Sequence, residues 1–202
     1  MNIIFDFGNV LVRWDPRKIF LPYLDNNEKE YEYFWEHICD EDFRNRIDAG
    51  ERQEAVVKEY QGRFPKYADC IAMYWTRWEE TLPGEVPGMR ELLEELKADP
   101  GNHLYGLTNW SMETYPIARK RFEILQLIDD YVVSGEEHII KPDHRLFEIL
   151  LTRYGLTAQE CIFVDDKAVN VRSACEMGFK GIVFRSAEEL REELERCKKA
   201  GL

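Results

Sequence analysis

No Cys-x-x-Cys pair occurs anywhere in this chain. The five cysteines (Cys39, Cys70, Cys161, Cys175, Cys197) stand far apart, and the four histidines (His37, His103, His138, His144) share no ligand spacing. A zinc centre needs thiolates or imidazoles at close, regular intervals, so neither it nor a disulfide framework is expected. Reduced, mostly structural thiols fit this usage, and with them a cytoplasmic protein. Long hydrophobic runs are missing too: nothing approaches the ~20 apolar residues of a membrane helix, and the apolar start turns acidic too soon for a signal peptide. Positive charge is scarce, with 27 Lys and Arg against 39 Asp and Glu, a formal net charge of −12. Such a molecule repels phosphate backbones and anionic bilayers, so neither nucleic acid nor membrane is an expected partner. There is no internal repeat and no low-complexity tract.

What is present suffices for a real core. Of 202 residues, 45% are hydrophobic and 13% aromatic, enough for one domain or a domain carrying an insertion. The N-terminal run Asn2 to Leu11 reads as a buried strand that delivers Asp6 into a Gly8-Asn9 turn. From Pro16 to about Leu82 the pattern is helical, with stripes such as Tyr31, Phe34, Trp35, Ile38 and Val56, Val57, Tyr60, Phe64, and no long strand. Pro83, Gly84, Pro87 and Gly88 then punctuate a return to alternating elements. Strands are expected at 104–107, 131–133, 161–164 and 181–184, and helices at 87–98, 116–127, 142–154 and from the fourth strand to Met177. Ser186 with Glu189 forms a capping box for a terminal helix. Strands alternating with helices of this length imply right-handed crossovers and a parallel sheet. The fold class is α/β: a three-layer, Rossmann-like core at 1–13 and 83–202, with an all-helical cap inserted at 14–82.

Chemistry gathers at the carboxyl ends of the strands, where open parallel sheets place their crevice. The first strand ends in Asp6, the second in Thr108-Asn109, the loop after the third reaches Lys141-Pro142, and the fourth ends in Asp165-Asp166 with Asn170 beyond. Each alone suits an ordinary turn, cap or surface position. Adjacent carboxylates at the end of an apolar strand repel each other unless a cation neutralises them. With Asp6 and Lys141 in the same set, an oxygen-ligated divalent metal, Mg²⁺, is the economical answer.

In that order and spacing, Asp6, Thr108-Asn109, Lys141 and Asp165-Asp166 with Asn170 resemble the four motifs of the haloacid dehalogenase-like hydrolases. Phe-Asp-Phe-Gly-Asn-Val is most similar to the members related to α-glucose-1-phosphate phosphatase. The resemblance implies a phosphatase acting on a small phosphorylated metabolite such as a sugar phosphate, with Asp6 as nucleophile forming an aspartyl-phosphate. It implies Mg²⁺ held by Asp6, the Gly8 carbonyl, Asp166 and Asp165, with Asn170 orienting the carboxylates. Thr108 and Asn109 would bind phosphate, and Lys141 would supply positive charge. A monomer or weak homo-oligomer is expected.

One departure stands out. Phosphatases of this family usually carry a second Asp two residues after the nucleophile, as general acid and base, and here that position is Gly8. A metal-free 2-haloacid dehalogenase and a non-catalytic phosphate-binding or regulatory member are the competing readings. Without that carboxyl, substrates with a stabilised leaving oxygen are favoured unless a cap group such as Asp15 or a water substitutes. Arg13, Trp14 and Asp15, and Arg44, Asn45 and Arg46 in the cap, are further candidates for the pocket wall.

Overall fold

The apolar runs separated by helical patterns become the strands of one parallel sheet. In this computed structural model, which describes residues 1–200, β1 (Asn2–Phe5) is followed by β2 (Val12–Arg13). Five helices come next: α1 (Arg17–Tyr23), α2 (Glu28–His37), α3 (Glu41–Asp48), α4 (Gln53–Arg63) and α5 (Ala68–Thr76). The two-residue β3 (Gly84–Glu85) leads back to α6 (Met89–Ala98), β4 (His103–Thr108), α7 (Tyr115–Arg121), β5 (Asp130–Val133) and α8 (Ser134–Glu137). Then come α9 (His144–Tyr154), β6 (Cys161–Asp165), α10 (Ala168–Glu176), β7 (Lys180–Val183) and α11 (Ala187–Lys199).

The main sheet runs β5-β4-β1-β6-β7 with every pair parallel, Ile4 standing opposite both Tyr105 and Phe163. Because side chains alternate across a strand, Ile3 and Phe5 pack with Leu92 and Leu93 of α6 and Leu190 of α11, while Ile4 joins Leu146, Phe147 and Leu150 of α9. Helices therefore cover both faces, and β1 lies at the centre with its carboxyl end between those of β4 and β6. Each fully buried Leu or Phe contributes on the order of 1.5–3 kcal/mol. Half of the capping box forms: Ser186 Oγ accepts from the Glu189 N–H at 3.2 Å, while the Glu189 carboxylate lies 3.9 Å from the Arg185 guanidinium; Gly155, at φ 63°, ends α9.

Helices α1 to α5 enclose a separate core of Phe20, Phe34, Phe43, Tyr60 and Ile71, with the Phe43 ring edge-on to Tyr60 and Tyr74 at 4.8 and 4.9 Å. Where the chain leaves and re-enters the sheet domain, β2 and β3 pair antiparallel, Val12 opposite Glu85. That ribbon, and the short α8, have no counterpart in the sequence pattern.

Two elements differ from expectation. The N-terminal run is a strand only to Phe5; beyond it Phe7 O accepts from both Leu11 N and Val12 N, folding the chain into a tight loop. The Phe7 ring fills the space beside Gly106, where a Cβ would lie 2.2 Å from it. The helix expected over 116–127 breaks at Phe122 (φ −110°, ψ 107°) and resumes as a 3₁₀ turn, Glu123–Leu127. Phe122 and Ile124 both face the core, and residues two apart cannot share a face of an α-helix.

Candidate active site

Asp6 follows β1 directly and is anchored through its N–H to Val164 O at 2.8 Å, so its side chain emerges from the centre of the sheet's carboxyl edge. The turn after it needs Asn9 in the left-handed region, φ 56°; the Asn9 side chain accepts from Trp14 N at 2.9 Å and donates to Asp166 Oδ2 at 3.4 Å. Asn thus suits the site twice, tolerating the conformation and tying the first turn to the fourth.

Lys141 is the hub. Its ammonium, 3% exposed, donates to Asp6 Oδ1 at 2.9 Å, Asp165 Oδ2 at 2.7 Å and Leu107 O at 2.6 Å, which uses all three of its donors. Burial works against its charge, but Asp165 and Asp6 prevail and hold its pKa above the ordinary lysine value. It therefore acts on a bound group through its field, since no N–H is free to contact one. The Asn109 side chain is likewise engaged: it donates to Lys141 O at 2.9 Å and accepts from Lys141 N at 2.8 Å, fixing the backbone of that lysine.

Asp165 is fully buried and saturated. Its oxygens accept from Lys141 Nζ, from Lys167 N at 2.8 Å and from Asn170 Nδ2 at 3.1 and 3.0 Å. Asn170 therefore grips Asp165, and does not touch Asp166. Thr108, the last residue of β4, is completely buried, does not line the cavity under the cap, and its Oγ1 has no partner.

One oxygen from each of Asp6, Asp165 and Asp166 lies within 4.8 Å of the others. Burial pushes the Asp6 carboxyl up to about 7; Lys141 opposes this, and Asp165 and Asp166 add to it. Burial and then Asp165 raise Asp166 as well. Three carboxylates share one bonded ammonium, Lys141, with Lys167 acting on Asp166 only through its field; this all-oxygen, over-negative set suits a hard divalent cation.

Asp6, Gly8, Asn9, Asn109, Lys141, Asp166, Lys167 and Asn170 form the floor of a cavity of about 210 Å³. Its roof comes from the cap: Trp14, Glu41, Arg44, Asn45, Asp48, Gln53, Tyr74 and Trp78. Of Arg13, Trp14 and Asp15, only Trp14 lines the cavity; Arg13 is exposed, and Asp15 stands at the base of the cap, where its backbone N–H donates to Thr81 O at 2.7 Å. Arg44 and Asn45 line the roof, whereas Arg46 turns outward to Glu51 and Glu59, both at 2.8 Å. Asp48, Gln53, Tyr74 and Lys167 carried no motif. They meet only because the connection between α3 and α4 is pinned to the core, with Ser134 Oγ donating to Asp48 O at 2.6 Å, His138 Nδ1 3.0 Å from Ala49 O, and Gln53 N donating to Glu113 Oε2 at 2.7 Å.

Residues 3–184 match the haloacid dehalogenase-like hydrolase family. The chain belongs to that family. A sesquiterpene phosphatase of Aspergillus oryzae is 35% identical over 185 residues, covering 89% of this chain and 87% of that protein. A drimenol cyclase of Aspergillus calidoustus is 25% identical over 195 residues, 95% of this chain but 35% of the cyclase. The chain spans less than half the length of several curated relatives that it matches. Among solved structures, a haloacid dehalogenase family enzyme of Bacteroides thetaiotaomicron, crystallised with magnesium and inorganic phosphate, superposes with a TM-score of 0.69. It covers 92% of this chain and 94% of its own at 18% identity, a likeness of fold. This haloacid dehalogenase-like hydrolase has a five-stranded parallel sheet with helices α1 to α5 inserted after its first strand. No helix of its described residues is long and apolar enough to cross a membrane.

Proposed function

We propose that this hydrolase is an Mg²⁺-dependent phosphatase that cleaves a small sugar phosphate through an aspartyl-phosphate on Asp6. The observation that carries the reading is the placing of Asp6: at the end of the central strand, on the cavity floor, with one oxygen held by Lys141 and within reach of Asp166. Lys141 leaves the Asp6 Oδ2 free of that contact, so the carboxylate is oriented while one oxygen remains to attack phosphorus. The bond from phosphorus to the ester oxygen breaks as the new one forms, and water then attacks phosphorus, releasing phosphate and restoring the Asp6 carboxylate.

Asp6, Asp166 and the Gly8 carbonyl would hold the cation, with Asp165 kept in place by Lys141 and Asn170. When bound, Mg²⁺ supplies positive charge against the anionic phosphoryl group and nucleophile. The orphaned Thr108 Oγ1, at the end of β4 with no partner of its own, suits a phosphate oxygen, as does the Asn109 backbone amide. The sesquiterpene phosphatase and, at 26% identity over 147 residues, a glyceraldehyde 3-phosphate phosphatase of Pyrococcus abyssi support the reaction class.

For the organic part, the roof offers polar groups at several heights: Arg44, Asn45, Asp48, and Gln53, whose buried Oε1 has no partner. Trp14 and Trp78 add flat faces. Hydroxyl-bearing rings satisfy these polar groups, which a terpenyl chain would leave unpaired, although Pro16, Ile47, Leu82 and Trp110 add an apolar part to the same wall. The test is phosphate release, with Mg²⁺, from sugar 1- and 6-phosphates and from a prenyl phosphate. Faster release from the prenyl ester would contradict the sugar assignment, and no release from any of them the reaction itself.

A further inference from the structure

The sheet domain supplies no acid for the departing oxygen. Gly8 stands where the carboxyl would be expected, and the remaining floor carboxylates form the acidic cluster, Asp6 and Asp166 lining the cavity with Asp165 behind them. Asp15, at the base of the cap, does not line the cavity. Among the cavity-lining residues that leaves two cap carboxylates, Glu41 and Asp48. Glu41 is exposed at the start of α3, whereas Asp48 ends that helix at the point where the cap is fastened to the core.

That fastening is specific. The Asp48 carbonyl accepts from Ser134, a fully buried residue whose Oγ also accepts from Trp110 N at 2.9 Å. The next carbonyl, of Ala49, meets His138, and Gly50 (φ +90°) fits so closely that a Cβ there would lie 2.3 Å from Gly135 O. The backbone from Asp48 to Gly50 is thus seated on α8 and on His138 just beyond it, at the same edge that carries Asn109 and Lys141. Asp48 itself lines the cavity, and the charges that bear on its carboxylate are Lys167, Arg44 and Lys141. A well-anchored backbone carrying a carboxyl free of hydrogen bonds from the described residues is the arrangement a proton donor requires.

We propose that Asp48 is the general acid of this phosphatase, donating its proton to the substrate's leaving oxygen as the bond from that oxygen to phosphorus breaks. This rests on the phosphatase reading above. The electron pair of the breaking bond goes to the leaving oxygen, which takes the Asp48 proton and departs as an alcohol; the Asp48 carboxylate then accepts a proton from the water that attacks phosphorus. Burial raises the Asp48 carboxyl to about 6, with Lys167, Arg44 and Lys141 pulling it back, so a protonated fraction persists near neutrality. Tyr74, packed on the same side from α5, is pushed above the ordinary tyrosine value by burial and by Asp48, and is too weak an acid for the part.

The experiment compares Asp48→Asn with the parent on two esters, p-nitrophenyl phosphate, whose leaving group needs no proton, and an alkyl phosphate, whose leaving group does. The readout is the ratio of kcat/KM for the two on one preparation, so loss of folded protein cancels. Asp48→Asn is expected to lose ~10²–10⁴-fold on the alkyl ester and under about 10-fold on the nitrophenyl ester. In the parent, kcat/KM for the alkyl ester should fall as pH rises above about 6, and that limb should vanish in the variant. Equal losses on both esters, or no loss on either, overturn the assignment to Asp48. A parent that releases phosphate from neither ester overturns the phosphatase reading instead.

Discussion

Replacing Asp6 with Asn removes the attacking carboxylate while Lys141 keeps its acceptors on Asp165 and Leu107. Turnover is expected to fall to background with an unchanged circular dichroism spectrum, and activity above a few percent of the parent would contradict a covalent role for Asp6. Lys141→Met is the opposite case. It leaves two buried carboxylates without their shared ammonium, and breaking such a pair typically costs ~3–5 kcal/mol. The urea midpoint should drop accordingly, and a variant as stable as its parent would show that Asp6 and Asp165 have other means of neutralisation. Asp48 gives a pH signature with a definite sign. Its folded pKa, about 6, exceeds the ordinary aspartate value of 3.8, so the native state binds more protons between about pH 4 and 6. Stability should fall as pH rises through that window by more in the parent than in Asp48→Asn, measured by thermal melts.

Among the elements, the connection from α3 to α4 decides whether the cavity has a roof. Ala at Gly50 must adopt φ +90° and place its Cβ against Gly135 O, a backbone atom that cannot swing aside. A left-handed non-glycine residue costs ~1–2 kcal/mol, equivalent to ~5–30-fold in an equilibrium. Gly50→Ala should therefore lower kcat/KM by about that factor, mainly through KM, with only a modest change in melting temperature; unchanged KM would mean that this docking does not form the substrate site. The strands and their terminal residues were readable from sequence because each motif sits next to its own apolar run: Asp6 after Phe5, Asp165 within Cys161–Asp165, Thr108 at the end of β4. The roof was readable only in part: Trp14, Arg44 and Asn45 stand out in the sequence as pocket-wall candidates and line it, whereas Asp48 and Gln53 do not stand out. Asp48 and Gln53 lie on amphipathic helices whose charged residues look alike, and only the docking of Asp48, Ala49 and Gln53 onto Ser134, His138 and Glu113 separates them from a solvated face. The break at Phe122 was hidden for a similar reason, since both halves have helical composition and the need to bury Phe122 and Ile124 together arises only against the sheet.

At the scale of the whole molecule, a formal charge of −12 makes the approach of a phosphate ester unfavourable. The cavity itself is not positive: Asp6, Glu41, Asp48 and Asp166 outnumber Arg44, Lys141 and Lys167. One divalent cation at the cluster of Asp6, Asp165 and Asp166 reverses that balance, so affinity for the phosphoryl group and turnover are coupled to the same ion. The dehalogenase alternative has no such dependence. The most direct measurement is thus the initial rate of phosphate release from a sugar phosphate panel, in metal-depleted buffer and after adding back Mg²⁺. Release that is absent with chelator and restored by Mg²⁺ is expected; release at full rate in chelator, or halide release from a 2-haloacid with no phosphate release at all, would contradict a metal-dependent phosphatase built on Asp6.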